Sequence, residues 1–178
     1  HQLMQTMVPG STAFAGIFQV QPGHVVKVQR QGGLLRTSGH KYWDLDFPKA
    51  GERDPAIGEE EHIQAIRSSL LEAIEMRLVA DVPVGCYLSG GIDSCSILGL
   101  ASAVSQAPVK AFTIGFDDAR YDESPIAREM AEATGAEQDL MRLSGHELYG
   151  HMERTIWHAE RTIYNTLAVA KFLMSRHV

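Results

Sequence analysis

The apolar positions along the chain change period twice. Between Phe14 and Phe47, in FAGIFQVQPGHVVKVQRQGGLLRTSGHKYWDLDF, short runs alternate apolar with polar residues and break at Pro22-Gly23 and Gly32-Gly33, the pattern of hairpin strands. This segment is too short to close a sheet of its own. PKAGERDPAIG, over 48–58, carries two prolines and two glycines and reads as a linker. From Glu59 to about Ala80 the pattern turns helical. Ile63, Ile66, Leu70, Ile74 and Leu78 recur at spacings of three or four behind the acidic turn Glu59, Glu60 and Glu61.

Strand and helix patterns then alternate. VPVGCYL reads as a strand buried on both faces, and Ile97, Leu100, Ala101 and Val104 mark a second helix. VKAFTIGF is a second buried strand and AEQDLMRL a weaker third. Ser124 with Pro125 forms an N-cap and first-turn pair and Gly135 a stop, which predicts a helix over Ser124–Thr134. Ser144 to Glu147 has capping-box form, with Leu148, Met152, Ile156 and Ala159 following on one helical face. The alternation predicts an α/β fold with a parallel sheet and helices on its faces. His1 in place of Met, and an end at LMSRHV inside a helical pattern, are expected of a piece of a longer polypeptide.

Composition narrows the function classes. Of 178 residues, 44% are hydrophobic and 21% charged, which excludes general disorder. The net charge of −6 offers no basic excess for a nucleic-acid partner. No apolar run approaches the roughly 20 residues of a membrane span, and no signal-peptide pattern opens the chain, so a cytoplasmic protein without membrane contact is expected. The two cysteines, Cys86 and Cys95, form no CxxC pair and read as small packing residues, and the eight histidines show no ligand spacing.

The chemistry is concentrated in GCYLSGGIDSCSILGL, Gly85 to Leu100. Ligands of open parallel sheets bind beyond the carboxyl ends of the strands, and SGGIDS stands at such an end, before a helix starting near Asp93 to Ser94. Gly90 and Gly91 permit positive φ and close backbone approach, which would expose consecutive N–H groups at the positive end of a helix dipole. Ser89 and Ser94 add hydroxyls. These features describe an anion cradle, with phosphate the best match. Asp93 would repel phosphate oxygens in a low-dielectric cleft unless its carboxylate holds Mg²⁺, which bridges carboxylate and phosphate. A metal-nucleotide reconciles the two. Neither GxxxxGK[ST] nor GxGxxG is present. For a bare Gly-Gly pair the structural alternative is a turn with capping Ser and Asp.

SGGIDS resembles the pyrophosphate-binding loop of the N-type ATP pyrophosphatases, which cleave ATP between the α- and β-phosphates. That superfamily includes GMP and NAD synthetases, argininosuccinate synthetase, tRNA-thiolating enzymes and asparagine synthetases. GHKYWDLDF is similar to the segment joining the two domains of glutamine-dependent asparagine synthetase, and FAGIFQVQPGHVVKV to the last strands of its glutaminase domain. DVPVGCYLSGGIDSCSI and KAFTIGFDDARYDESPIAREMA are similar to that family as well.

The resemblance implies a Rossmann-like, adenine-nucleotide alpha-hydrolase-like synthetase domain over 59–178. It would be preceded by the linker at 48–58 and by the terminal strands of an Ntn-type glutamine amidotransferase domain over 1–47. Ser89, Gly90, Gly91, Asp93 and Ser94 would grip the pyrophosphate of ATP, with Asp93 on Mg²⁺. Backbone near Tyr87 and Leu88, and Ile114 at the end of the next strand, would contact the adenosine. The implied reaction adenylates the aspartate side-chain carboxylate and then displaces AMP with ammonia to give asparagine. The partners would be small molecules: ATP, aspartate or another acid, and ammonia from glutamine. A homodimer is an assembly the resemblance admits.

The likeness has limits. Glutamine hydrolysis in this family uses an N-terminal cysteine; position 1 is His, and Cys86 and Cys95 flank the ATP loop, so neither is expected to be that nucleophile. An acidic glycine-rich loop that completes the Mg²⁺ and ammonia site is expected beyond Val178. HAERTIYNTLAVAKFLMS lies where the family builds its acceptor pocket and departs from the threonine-rich, arginine-containing run of the bacterial form. Glu160, Arg161 and Asn165 are candidates for recognising a charged substrate there, and a helix cap with solvated charges explains them equally. The acceptor stays open, since homologues on this scaffold close β-lactams, cyclise peptides or amidate natural-product acids. A non-catalytic nucleotide-binding module is the alternative from another class.

Overall fold

Residues 8–49, 51–52 and 57–178 are described by a computed structural model of the chain. They divide into two units: the described residues up to Pro55 together with Ile156–Tyr164, and the described residues from Ala56 to Thr155 together with Asn165–Val178.

The first unit carries the expected hairpin. Strands β1 (His24–Gln31) and β2 (Leu34–Lys41) pair antiparallel, with Gln31 opposite Leu34 and His24 opposite Lys41. Gly32 and Gly33 turn the chain at φ 56° and 82°, the left-handed backbone that a two-residue primed turn demands. At the open end, the Tyr42 and Trp43 N–H groups both donate to the Gly23 carbonyl, at 2.8 and 3.2 Å. The linker predicted at 48–58 lies partly outside the described residues, as does the start of the segment predicted over 1–47.

The second unit is mixed α/β with a parallel sheet, as the alternation predicts. Its elements begin α1 (Glu59–Leu78), β3 (Gly85–Tyr87), α2 (Ile92–Val104) and β4 (Lys110–Phe116). They continue α3 (Ser124–Thr134), β5 (Glu137–Leu143), α4 (Gly145–Gly150), α5 (Met152–Ala159) and α6 (Leu167–His177), with α5 from Ile156 onward belonging to the first unit. The strand order is β3-β4-β5, all parallel, with Gly85 beside Lys110 and Lys110 beside Glu137. The core joins Leu88, Leu98, Ala101, Val109, Ala111, Ala127 and Ala131, where alanines on α2, β4 and α3 let these elements approach closely. Cys86 and Cys95 are free, half-buried and packed against this cluster. Burial pushes the Cys86 thiol up, consistent with a packing role.

Strand β3 is not buried on both faces: Tyr87 is 62% exposed, because no layer among the described residues covers the face it occupies. Helix α1 forms as predicted, but Ile63, Ile66 and Leu70 are exposed and only Ile74 packs against the core. Periodicity identifies an apolar face without saying what covers it. The helix predicted after Ser144 breaks at His151 (φ −105°, ψ 5°), so α4 and α5 are separate, with Leu148 and Thr155 buried and Ile156 exposed. Gly150, a poor helix residue, precedes the break. The capping box forms: Ser144 N–H donates to Glu147 Oε2 at 2.8 Å, and Glu147 N–H to Ser144 Oγ at 3.3 Å. No helix among the described residues is long and apolar enough to cross a membrane.

Helix α3 has the predicted bounds and ends at Gly135 with φ 67°, but Ser124 is its first helical residue, the N-cap position is Glu123 with no side-chain cap bond, and Asp122 holds the turn before it. Asp122 Oδ1 accepts the Ser124 N–H at 3.1 Å, and Oδ2 lies 3.6 Å from Arg142 Nη1. The Ser124 hydroxyl, chiefly, holds the Asp122 carboxyl below the usual carboxylate range; desolvation opposes this, and the Ser124 and Phe116 N–H groups and the Arg142 charge reinforce it. A folded-state value below the unfolded one contributes stability above the unfolded value, near 3.9, and loses it as the pH falls through and below that value. Asp122→Ala is therefore expected to cost about 1–2 kcal/mol at pH 7. In urea titrations that gap should narrow toward pH 3. A gap independent of pH would show that the carboxylate charge is not what holds the start of α3.

Candidate functional site

Strand β3 delivers the chain to the loop. Leu88 N–H donates to the Phe112 carbonyl at 2.8 Å, adding one rung beyond β3, and the chain then leaves the sheet. Ser94 Oγ ties the loop together: it accepts the Ser89 N–H at 3.1 Å and lies 3.0 Å from Ser89 Oγ, 3.0 Å from the Gly91 carbonyl and 3.3 Å from the Ser89 carbonyl. Gly91 N–H donates to Ser89 Oγ at 3.2 Å, and Cys95 Sγ to the Ser89 carbonyl at 3.5 Å.

The glycines act differently from the sequence reading. Neither Gly90 nor Gly91 has positive φ, and Gly91 sits at −78°. Gly90 is required by close approach: a Cβ there would lie 3.1 Å from Glu123 Cβ and 3.2 Å from Ile126 Cβ. Both glycine N–H groups are already taken, that of Gly90 by Glu123 Oε2 at 3.0 Å. The donors open to an anion lie one turn later. Helix α2 makes its first backbone bond from Cys95 N–H to the Gly91 carbonyl at 3.1 Å, and its N-cap has no side-chain partner. The N–H groups of Ile92, Asp93 and Ser94 thus have no acceptor among the described residues, the usual state of a helix start.

Asp93, the second residue of α2, is exposed and its carboxylate is unpaired among the described residues. No group of three or more His, Cys, Asp or Glu that could hold a metal occurs among the described residues. A single carboxylate beside free N–H donors suits a hard cation carried in on phosphate oxygens better than an all-protein metal cage. Leu88 is buried in the core, so its backbone alone faces the loop end. Ile114 is half-buried, and continuing the β3–β4 register sets it level with Ser89; β4 runs on to Phe116, so Ile114 stands two residues before the strand end. Tyr87 to Ser94 and Ile114 therefore share one end of the sheet.

Of the three acceptor candidates, Asn165 Oδ1 accepts the Leu167 N–H at 3.1 Å, just before α6. Glu160, with φ 49°, closes α5 through its N–H to the Ile156 carbonyl at 3.0 Å. Glu160 and Arg161 belong to the first unit and Asn165 to the second. The site residue that sequence reasoning missed is Glu123. Its place in ASP-GLU-SER-PRO order before α3 marked only a helix start, and nothing local signals a contact 33 residues away.

The sequence model of the asparagine synthase family matches residues 65–178, which include the loop, Glu123 and all three parallel strands. The chain belongs to the asparagine synthase family. The matched residues include the whole parallel sheet and the loop it carries. Amidase chry2 of Gibberella zeae is 35% identical over 167 residues, covering 86% of this chain and 24% of the relative. Amidase chyE of Penicillium rubens is 37% identical over the same shares. Glutamine-hydrolyzing asparagine synthetase 1 of Bacillus subtilis is 26% identical, covering 93% of this chain and 25% of the relative. The chain spans about a quarter of the length of these curated relatives.

Proposed function

We propose that the chain supplies the ATP-binding part of a glutamine-dependent, AMP-forming amide ligase. In this reading 1–47 are the last part of an Ntn-type glutaminase domain, 48–58 the linker, and 59–178 the first part of the synthetase domain. The observation that carries it is the loop at the end of β3: three unpaired N–H groups at Ile92, Asp93 and Ser94 beside the free Asp93 carboxylate, in a chain of the asparagine synthase family. These N–H groups, the Ser89 and Ser94 hydroxyls and the backbone of Gly90 and Gly91 take the pyrophosphate oxygens of ATP. Asp93 would hold Mg²⁺, and the cation, when bound, would supply charge neutralisation. Backbone at Tyr87 and Leu88, with Ile114, borders the adenosine.

The acid's carboxylate oxygen attacks the α-phosphorus, the bond to the pyrophosphate oxygen breaks, and ammonia then attacks the acyl carbon as AMP leaves. This chain's residues do the positioning and charge neutralisation that such a transfer needs. Aspartate, giving asparagine, is the acceptor in the first reading. A second reading, another carboxylic acid, is favoured by the two relatives named amidases, at 35% and 37% identity against 26% for the asparagine synthetase. Incubating the full-length protein with Mg-ATP, glutamine and aspartate tests both. AMP, pyrophosphate and asparagine are expected. AMP only with a different acid would move the assignment to the second reading, and ADP or no turnover with any acid would leave a non-catalytic nucleotide module.

A further inference from the structure

The loop holds an acidic contact that anion binding alone does not call for. Gly90 N–H, at the centre of the loop, donates to Glu123 Oε2 at 3.0 Å. Among the described residues Glu123 is the one side chain from outside 89–95 that hydrogen-bonds the loop. Its placement is built from both sides. Asp122 fixes the start of α3 through the Ser124 N–H and Arg142, and the Glu123 carbonyl accepts the Ala127 N–H at 3.1 Å, the first bond of that helix. On the other side, the missing side chain at Gly90 leaves just enough room for Glu123 and Ile126.

A carboxylate oxygen on this N–H is an anion already seated in the loop. The N–H has one proton to give, so a phosphate oxygen takes it only when Glu123 lets go, and two anions in one loop repel. We propose that Glu123 is an internal competitor for the loop: its carboxylate holds the loop's shape when no nucleotide is present, yields Gly90 to the pyrophosphate group on binding, and returns as pyrophosphate leaves. This rests on the reading of 89–94 as a pyrophosphate loop. Glu123 thereby holds down the loop's affinity for free pyrophosphate, the product that must depart.

Calorimetric titration of the full chain with metal-free pyrophosphate, for wild type, Glu123→Gln and Glu123→Ala, tests it, with thermal melts run alongside. Glu123→Gln keeps the shape and an oxygen acceptor and removes the charge. It is expected to bind metal-free pyrophosphate roughly three- to tenfold tighter than wild type, a range discounted for solvent screening. The gain should shrink when Mg²⁺ accompanies the pyrophosphate. Glu123→Ala should also bind more tightly; if it fails to fold, Glu123→Gln carries the test. Binding by wild type with equal or weaker binding by Glu123→Gln would overturn the competitor role and leave the loop assignment standing. No binding by wild type or either variant would overturn the loop assignment itself.

Discussion

Replacing Asp93 with Asn is expected to lower AMP formation from Mg-ATP by roughly 100-fold or more in the full-length protein, while the melting temperature barely moves. The loss follows from removing the one exposed carboxylate among the loop residues Ser89 to Ser94, in a site whose work is charge neutralisation. The fold survives because the Asp93 side chain has no partner to lose, and its favourable place at the start of α2 is worth about 0.3–1 kcal/mol. Partial recovery at high Mg²⁺ is expected, since the variant weakens cation binding and leaves the N–H donors in place. Single-turnover AMP formation over a Mg²⁺ series, together with a melt, is the measurement. Turnover within a few-fold of wild type would sink the assignment.

Leu98→Ala is expected to cost about 2–5 kcal/mol of stability, toward the upper end. Leu98 is fully buried, and four of its six buried cluster neighbours are alanines at 101, 111, 127 and 131. Alanine has no rotamer with which to move into the void, so the cavity stays open. A domain's stability is itself only about 5–15 kcal/mol, so urea unfolding should show a large shift in midpoint. Ile97, its neighbour in sequence, is 45% exposed, and Ile97→Ala should cost far less. Equal losses at the two positions would contradict the packing described.

Sequence reading succeeded where the decisive interaction is local. Pro125 and Gly135 mark the ends of α3 because first-turn and stop residues act within a turn, although Ser124 enters the helix and does not cap it, and Ser144 with Glu147 closes its box for the same reason. Lys110–Phe116 was legible as a buried strand because helices α3 and α6 pack on it, so nearly every position along it is covered. Spacing is silent on contacts far apart in the chain. It gave no sign that Gly90 lacks a side chain to make room for Glu123, that Ile63, Ile66 and Leu70 stay exposed on α1, or that β3 has an open edge. SGGIDS was legible as a loop type, but not the division of labour within it, in which the glycine N–H groups are occupied and those of Ile92 to Ser94 are free. Asn165 was ambiguous between pocket and helix start because an amide serves either, and its bond from the Leu167 N–H at 3.1 Å was not legible from spacing.

The strand order has a consequence for how the unit breathes. Strand β4 is held on both edges and buried from Ala111 to Thr113, so its amide hydrogens should exchange with solvent only when the sheet itself opens. Strand β3 is three residues long and held on one edge, so its amides open by local fraying at a much smaller free energy. The loop at 89–94 hangs from that strand. If it takes the pyrophosphate as proposed, the segment that admits and releases the ligand is mounted on the strand that loosens first, while the strand beside it stays shut.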